Sequence, residues 1–366
     1  MKNKESLVRA AFLCVAVLMV AAIVALICGF RLEPKGQKIA VGAVFIGAPN
    51  DNGWNENHHR GLARACDAHG CALQAQTGVP EEEGPLKNAV AALVKQGCSC
   101  IFLTSYGYGQ YANAIAKENP RVAFYAIAGD TSADNCMTYF ARMYQGRYLA
   151  GIVAGAATRS GVLGYVSAMP IPETVRSINA YALGAHKANP AAKVLVKFTG
   201  SWNDPEKEKA AVQTLAAAGA DVMTFHEDGP YALKVADEMG LLTTGYDSVL
   251  PGYSHRLLTA AVFNWGVLYD RVLSDYLRGR ANFSGNYWLG VAEGAVALHP
   301  YSDLVSDEAK KLVAVEAEKM KTWRDVFSGE IYDNAGALRC HADERIGDSA
   351  LFNSIDWYMK GVEVHE

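Results

Sequence analysis

The sequence lacks any excess of positive charge. Its 34 Lys and Arg are outnumbered by 38 Asp and Glu, for a formal net charge of -4. A nucleic-acid surface needs basic residues gathered on one face, so that partner class is set aside. Catalytic punctuation is equally scarce. No GxSxG elbow, GxxxxGK[ST] loop or HExxH pair occurs, which removes the hydrolases, P-loop NTPases and zinc enzymes that those spacings build. "GYGQYA" from Gly107 to Ala112 fits the looser GxGxxA dinucleotide fingerprint, with Asp130 beyond it. It falls at the third strand-helix unit instead of the first, so no cofactor is expected. Cysteine never takes the CxxC spacing of a zinc knuckle, and no metal is expected, even with His69 close by. A disulfide among Cys66, Cys71, Cys98 and Cys100 is expected where the compartment permits one; the spacing does not fix the pairing.

What is present starts at the N-terminus. Lys2, Lys4 and Arg9 precede an unbroken apolar run from Ala10 to Phe30. That is about the length, roughly 20 residues, that spans a bilayer core. A cleaved signal and an uncleaved anchor stand level. Lipidation at Cys28 comes behind both, because Ile27 is bulky for a lipid-attachment site. Each alternative places the rest of the chain outside the cytoplasm, and residues 1–36 are set apart from the folded part. No second spanning run precedes Glu366.

From Lys38 short β-branched runs alternate with segments of helical periodicity. "KIAVGAVFIG", "CALQAQT", "CIFLTS" and "VAFYAIAG" read as strands, with helices between them. The alternation restarts with the helix "GRYLAGIVAGAATRSG" and the strand "VLGYVSA". It continues through "AKVLVKFTG", "ADVMTFHEDG" and "LLTTGYDS", where Asp204 and Pro205 mark a helix start. Such alternation predicts parallel sheets covered on both faces. The expected fold is α/β, with two doubly wound parallel-sheet lobes and an interlobe cleft. The expected boundaries are 37–145 for the N-terminal lobe and 146–262 for the C-terminal lobe. Residues 263–366 are expected as a hinge crossing and return elements that pack on the N-terminal lobe and across the hinge.

In doubly wound sheets ligands bind beyond the carboxyl ends of the strands. Two loops at such ends, "NDNGWN" and "GSWNDP", set a tryptophan among small polar groups. Trp54 and Trp202, from opposite lobes, are thus candidates to hold a flat ligand between their rings. Asp51, Asn55, Tyr106, Asp228 and Asp247 are the other candidates. For Asp204 helix capping is the better reading. Trp265 and Trp323 fit a core role. His58 and His59 are adjacent on a helix and point apart, so at least one is expected to be a solvated surface histidine.

Several separated blocks carry a resemblance: "VGAVFIGAPNDNGWN", "GRYLAGIVAG", "GYVSAMPIPETVRSINAYALGA", "SWNDPEKEKAAVQTLAAAGADV", "GYDS", "TAAVFNWG" and "FSGEIYDNAG". Together they resemble the basic membrane protein family of ABC-transporter substrate-binding proteins, relatives of the bacterial purine nucleoside receptor. The resemblance implies a type I periplasmic binding protein without enzymatic activity. It would be a monomer that closes on a purine base or nucleoside and serves an ABC permease. It also implies stacking at Trp54 and Trp202 and ligand contacts at Asp51, Asn55 and Asp247. Nucleoside-binding members carry a lysine where this chain has Asn264, which favours a free base such as adenine. The alternatives are the ligand-binding component of a membrane sensory system and an extracytoplasmic enzyme. The latter lacks a nucleophile, base and orienting group.

Overall fold

The β-branched run after Lys38 forms the strand that organises the first sheet: β1, Ala40–Val44, buried along nearly its whole length. It is flanked in parallel by β2 (Ala72–Gln76) and β3 (Cys100–Leu103). The computed structural model describes residues 38–51, 53–127, 133–249, 254–322 and 325–365. The expected leader at 1–36 with Cys28, the strand end Ala128–Asp130 and Trp323 lie outside the described residues. All that follows concerns the compact unit from Ala40 to Glu366.

Beyond β3 the sheet adds β4 (Ala123–Ala126), β5 (Cys136–Ala141) and later β11 (Asn286–Leu289), in the order β11-β5-β4-β3-β1-β2, all parallel. Helices α1 (Trp54–Ala68), α2 (Glu83–Lys95) and α3 (Gly109–Glu118) alternate with the early strands. Leu86, Val90 and Leu93 of α2 meet Ile101, Leu103 and Phe124 in one core. Helix-covered parallel strands lose both faces to the interior, so they read as continuous apolar runs.

The second sheet repeats the plan. Its strands are β6 (Val162–Ser167), β7 (Lys193–Phe198), β8 (Val222–His226), β9 (Leu242–Asp247) and β10 (Leu257–Phe263), with β12 (Val296–Leu298) and β15 (Val362–Val364) at the edges. The order is β12-β10-β9-β8-β6-β7-β15, and only β12 runs antiparallel. Its helices are α4 (Met143–Ala157), α5 (Pro172–Ala188), α6 (Pro205–Ala217) and α7 (Tyr231–Glu238). Asp204 caps α6 as expected, its Oδ1 accepting the Lys207 N–H at 3.2 Å. In each sheet the first strand has its successors on opposite sides, which opens a crevice at its carboxyl end.

Two strands escape the sequence pattern. Cys136–Ala141 follows β4 with no helix among the described residues between them, so nothing in the alternation announces it. The polar aromatic stretch "NYWLGVAEGAVALH" divides into β11 and β12, one for each sheet. The chain passes between the sheets at Arg142, at Asn264 and between Leu289 and Val296. Residues 263–366, expected to pack on the first lobe and across the hinge, are shared by both lobes. Helix α8 (Trp265–Leu277) packs on α1, while α9 (Asp307–Met320) and α10 (Asp348–Asn353) lie on α4 and α5 of the second lobe. The two flanks of the second sheet accept β12 and β15, which draws this chain segment there.

Candidate functional site

The start of α1 is built by Asp51. Its Oδ1 accepts the backbone N–H groups of Gly53 and Glu56, both at 3.0 Å. Its Oδ2 accepts the backbone N–H of Asn55 at 3.1 Å and the Asn55 side-chain amide at 2.7 Å. The first N–H groups of a helix have no partner within it, and a carboxylate here satisfies them. Asn55 in turn accepts the Gly47 N–H at 3.1 Å, fastening the helix start to the exit of β1. Both expected ligand contacts are therefore engaged in helix construction, and neither lines the cavity described below.

What this scaffold presents is Trp54, the first residue of α1. Its indole N–H donates to the Thr104 carbonyl at 2.8 Å, just past β3. Its ring meets His58, Trp265 and Phe263 edge-on, with centroids 4.4, 5.5 and 5.9 Å away. Trp265 is buried in the core as expected. His58 is buried too, stacked on Trp265 at 3.8 Å with Nδ1 2.6 Å from the Tyr269 hydroxyl. Burial alone holds its pKa well below the ordinary histidine value. His59 is only half-buried.

From the second lobe comes Trp202, whose carbonyl accepts the Asp228 N–H at 2.8 Å. Beneath it Thr199 Oγ1 lies 2.8 Å from both the Ser201 carbonyl and Glu227 Oε1. Burial, more than the neighbouring carboxylates, pushes the Glu227 acid up to about 9. Asp228 projects into the open space between the lobes. Burial on its protein side, then the charges of Asp247, Asp51, Glu173 and Glu81, push it up to about 7.

Between the lobes lies a cavity of about 120 Å³. Trp54 and Tyr106 face it from one side and Trp202 and Tyr246 from the other, while Glu81, Glu173 and Asp228 place three acids on its wall. Ile46, Ile127, Ser105 and Gly107 complete the lining. Of the sequence candidates the structure thus brings together Trp54, Tyr106, Trp202 and Asp228. Asp247 sits behind the wall, buried, accepting the Asn57 side-chain amide at 3.0 Å. Its φ of 67° is the left-handed value a non-glycine residue seldom adopts. Burial lifts its pKa to about 6. Asn264 is exposed at the start of α8, with its backbone N–H on the Ala295 carbonyl at 2.8 Å, outside the lining.

Sequence reasoning passed over Glu81 altogether. It lies in the loop after β2, and one of its oxygens accepts both the Ser105 hydroxyl and the Gly107 N–H at 2.6 Å. The available signal was the position of β2: it borders β1 at the switch in strand order, so its carboxyl end opens on the same crevice. Glu173, buried near the start of α5, lies 3.7 Å from His226 Nε2. Burial drives that imidazole down to about 4. Cys66, Cys98 and Cys100 stand as buried thiols, so the bridge expected among the early cysteines is not made here. Burial pushes the Cys66 thiol to about 12. Among the described residues no group of His, Cys, Asp and Glu is arranged to hold a metal.

Two doubly wound lobes joined by three crossings, with an aromatic cavity between their strand ends, define a type I periplasmic binding protein fold. Residues 38–326 match the PnrA-like ABC transporter substrate-binding proteins (Bmp), and the chain belongs to that family. It is 32% identical to a purine-binding protein of Brucella abortus (strain 2308), over 93% of this chain and 98% of that one. A candidate ABC transporter glucose-binding protein of Haloferax volcanii is 28% identical, over 90% of this chain and 81% of its own. Among solved structures, an ABC transporter solute-binding protein of Conexibacter woesei superposes with a TM-score of 0.64 at 21% identity, covering 77% of this chain and 96% of that one. Proteins of this family work outside the cytoplasm and hand small ligands to a permease. Among the described residues no helix is long and apolar enough to cross a membrane.

Proposed function

We propose that this protein captures a purine base, adenine-like in its N–H donors, between Trp54 and Trp202 and delivers it to an ABC permease. The observation that carries this reading is the pairing of aromatic faces with acids on one cavity wall. Flat rings from opposite lobes suit a planar heterocycle, and carboxylates at its edge accept hydrogen bonds from an exocyclic amine or ring N–H. The Brucella relative is named for purine binding, and its similarity spans nearly both chains. A lysine is missing where nucleoside binders carry one, which favours the free base over a nucleoside. Export through the N-terminal apolar run, and action as a monomer, belong to the same proposal.

Calorimetry of the purified protein against adenine, guanine, hypoxanthine, adenosine and inosine tests it, with mass spectrometry of ligand released on denaturation. Adenine is expected to bind with the highest affinity. Silence with all five compounds would sink the purine reading.

A further inference from the structure

The cavity wall carries three acids, of which Glu173 feels the charge of Arg176. Among the described residues that line it there is neither lysine nor arginine. Glu81 is oriented by neutral donors, the Ser105 hydroxyl and the Gly107 N–H, which fix its carboxylate without cancelling its charge. The neighbouring cations are turned elsewhere. Arg147, fully buried, lies over the Tyr246 ring at 4.2 Å and gives its N–H groups to Thr224 at 3.1 Å and to the Phe225 carbonyl. Arg176 packs against Phe140, Trp288 and Phe352 and donates to the Leu351 carbonyl at 3.3 Å. Arg60 reaches the Asn57 side chain at 3.1 Å and is exposed. His226, beside Glu173, is buried.

The same cavity offers the faces of aromatic rings, whose negative quadrupoles attract cations. Carboxylates in excess over cations, with aromatic side chains around the same cavity, make a receptor for positive charge spread over a flat ring. An anion placed there would meet like charges across short distances, which suppresses wrong ligands.

We infer that the cleft selects by charge: it takes its aromatic heterocycle as a cation, a protonated or N-alkylated base, in preference to the neutral or anionic form. This inference rests on the proposed purine site and sharpens it.

Two isomeric probes separate charge from shape. At neutral pH 1,9-dimethyladenine is a cation and N6,9-dimethyladenine is neutral, with the same atoms on the same ring system. A purine-free pair, N-methylquinolinium and quinoline, asks the charge question alone. Calorimetry on the full-length protein is expected to show the cation of each pair binding at least about tenfold more tightly, the scale of a desolvated cation-aromatic contact. Glu173→Gln is expected to narrow that ratio. Equal or tighter binding of the neutral adenine isomer overturns the charge inference and leaves the purine reading standing. Binding of N-methylquinolinium with silence from both adenine isomers upholds charge selection, and adenine itself, in the calorimetry above, decides the purine reading. Silence from all four probes overturns the charge inference.

Discussion

Trp54 is fixed before any ligand arrives. The Asp51 cap sets the backbone, Thr104 takes the indole N–H, and Trp265, His58 and Phe263 border the ring, which lines the cavity. Such preorganisation spares the ordering cost that binding otherwise exacts. Replacing Trp54 or Trp202 with Ala is expected to weaken purine binding by about 1 to 3 kcal/mol each, by analogy with base stacking on aromatic side chains. Titration calorimetry checks it, and unchanged affinity in both variants would show that the rings do not hold the ligand. Both tryptophans were legible in sequence because an aromatic in a polar loop at a strand end has no local reason to be there. Asp51 and Asn55 were legible as acceptors and donors of hydrogen bonds, but not as to what they bind. A carboxylate accepts N–H from a helix terminus as readily as from a heterocycle, and only the folded chain shows which lies within 3.1 Å.

At the level of elements, helices α4 and α5 are the most intimate pair. A Cβ on Gly151 would collide with the Tyr181 carbonyl, and one on Gly184 with the Tyr148 carbonyl, so glycine lets the two backbones touch. Gly184→Ala is expected to cost about 1 to 3 kcal/mol through overpacking, read as a lowered urea midpoint with an unchanged slope. The first and third crossings are tied through Arg142. Its backbone N–H donates to the Leu289 carbonyl at 2.7 Å, its Nε to the Trp288 carbonyl at 2.9 Å, and its guanidinium pairs with Asp348. The strand and helix alternation that built both sheets was readable from periodicity. Cys136–Ala141 was not, because only nine residues separate it from β4, too few for a helical period to delimit it.

Across the whole molecule the lobes stand close together. A Cβ on Gly53 would lie 2.5 Å from the Asp228 carbonyl of the opposite lobe, and Asn57 donates across the gap to Asp247 at 3.0 Å. Gly53→Val is expected to prop the lobes apart, raising the Kd at least about tenfold. Small-angle scattering should show no contraction when ligand is added, while thermal stability without ligand is retained. Stability should also depend on pH in two limbs. Folding raises Glu227 to about 9 and Glu208 to about 7, chiefly by burial, so the folded state keeps protons that the unfolded chain gives up above the ordinary carboxylate range. Stability from these groups therefore falls as pH rises toward 9. Folding lowers His226 to about 4, again by burial, so below its ordinary 6.5 the unfolded chain binds the extra proton and stability falls as pH drops. The two windows overlap between pH 4.5 and 6.5 and offset each other there, so thermal melts should fall from pH 6.5 toward 9, by at most about 1.4 kcal/mol per pH unit per proton. Glu227→Gln should flatten the alkaline limb; an unaltered limb would assign it to other groups.

The sequence by itself determined the two-lobed α/β plan, since apolar period and turn residues act over a few neighbours and are written in order along the chain. It also marked two aromatics from different lobes as partners. The tertiary structure decided which acids share the cavity with them. Glu81 and Glu173 are far apart in sequence and meet only because β2 borders β1 at the switch point and the lobes face each other. Charge acts through space with no regard for chain order, so the character of this cleft could be read only after the fold had gathered its acids.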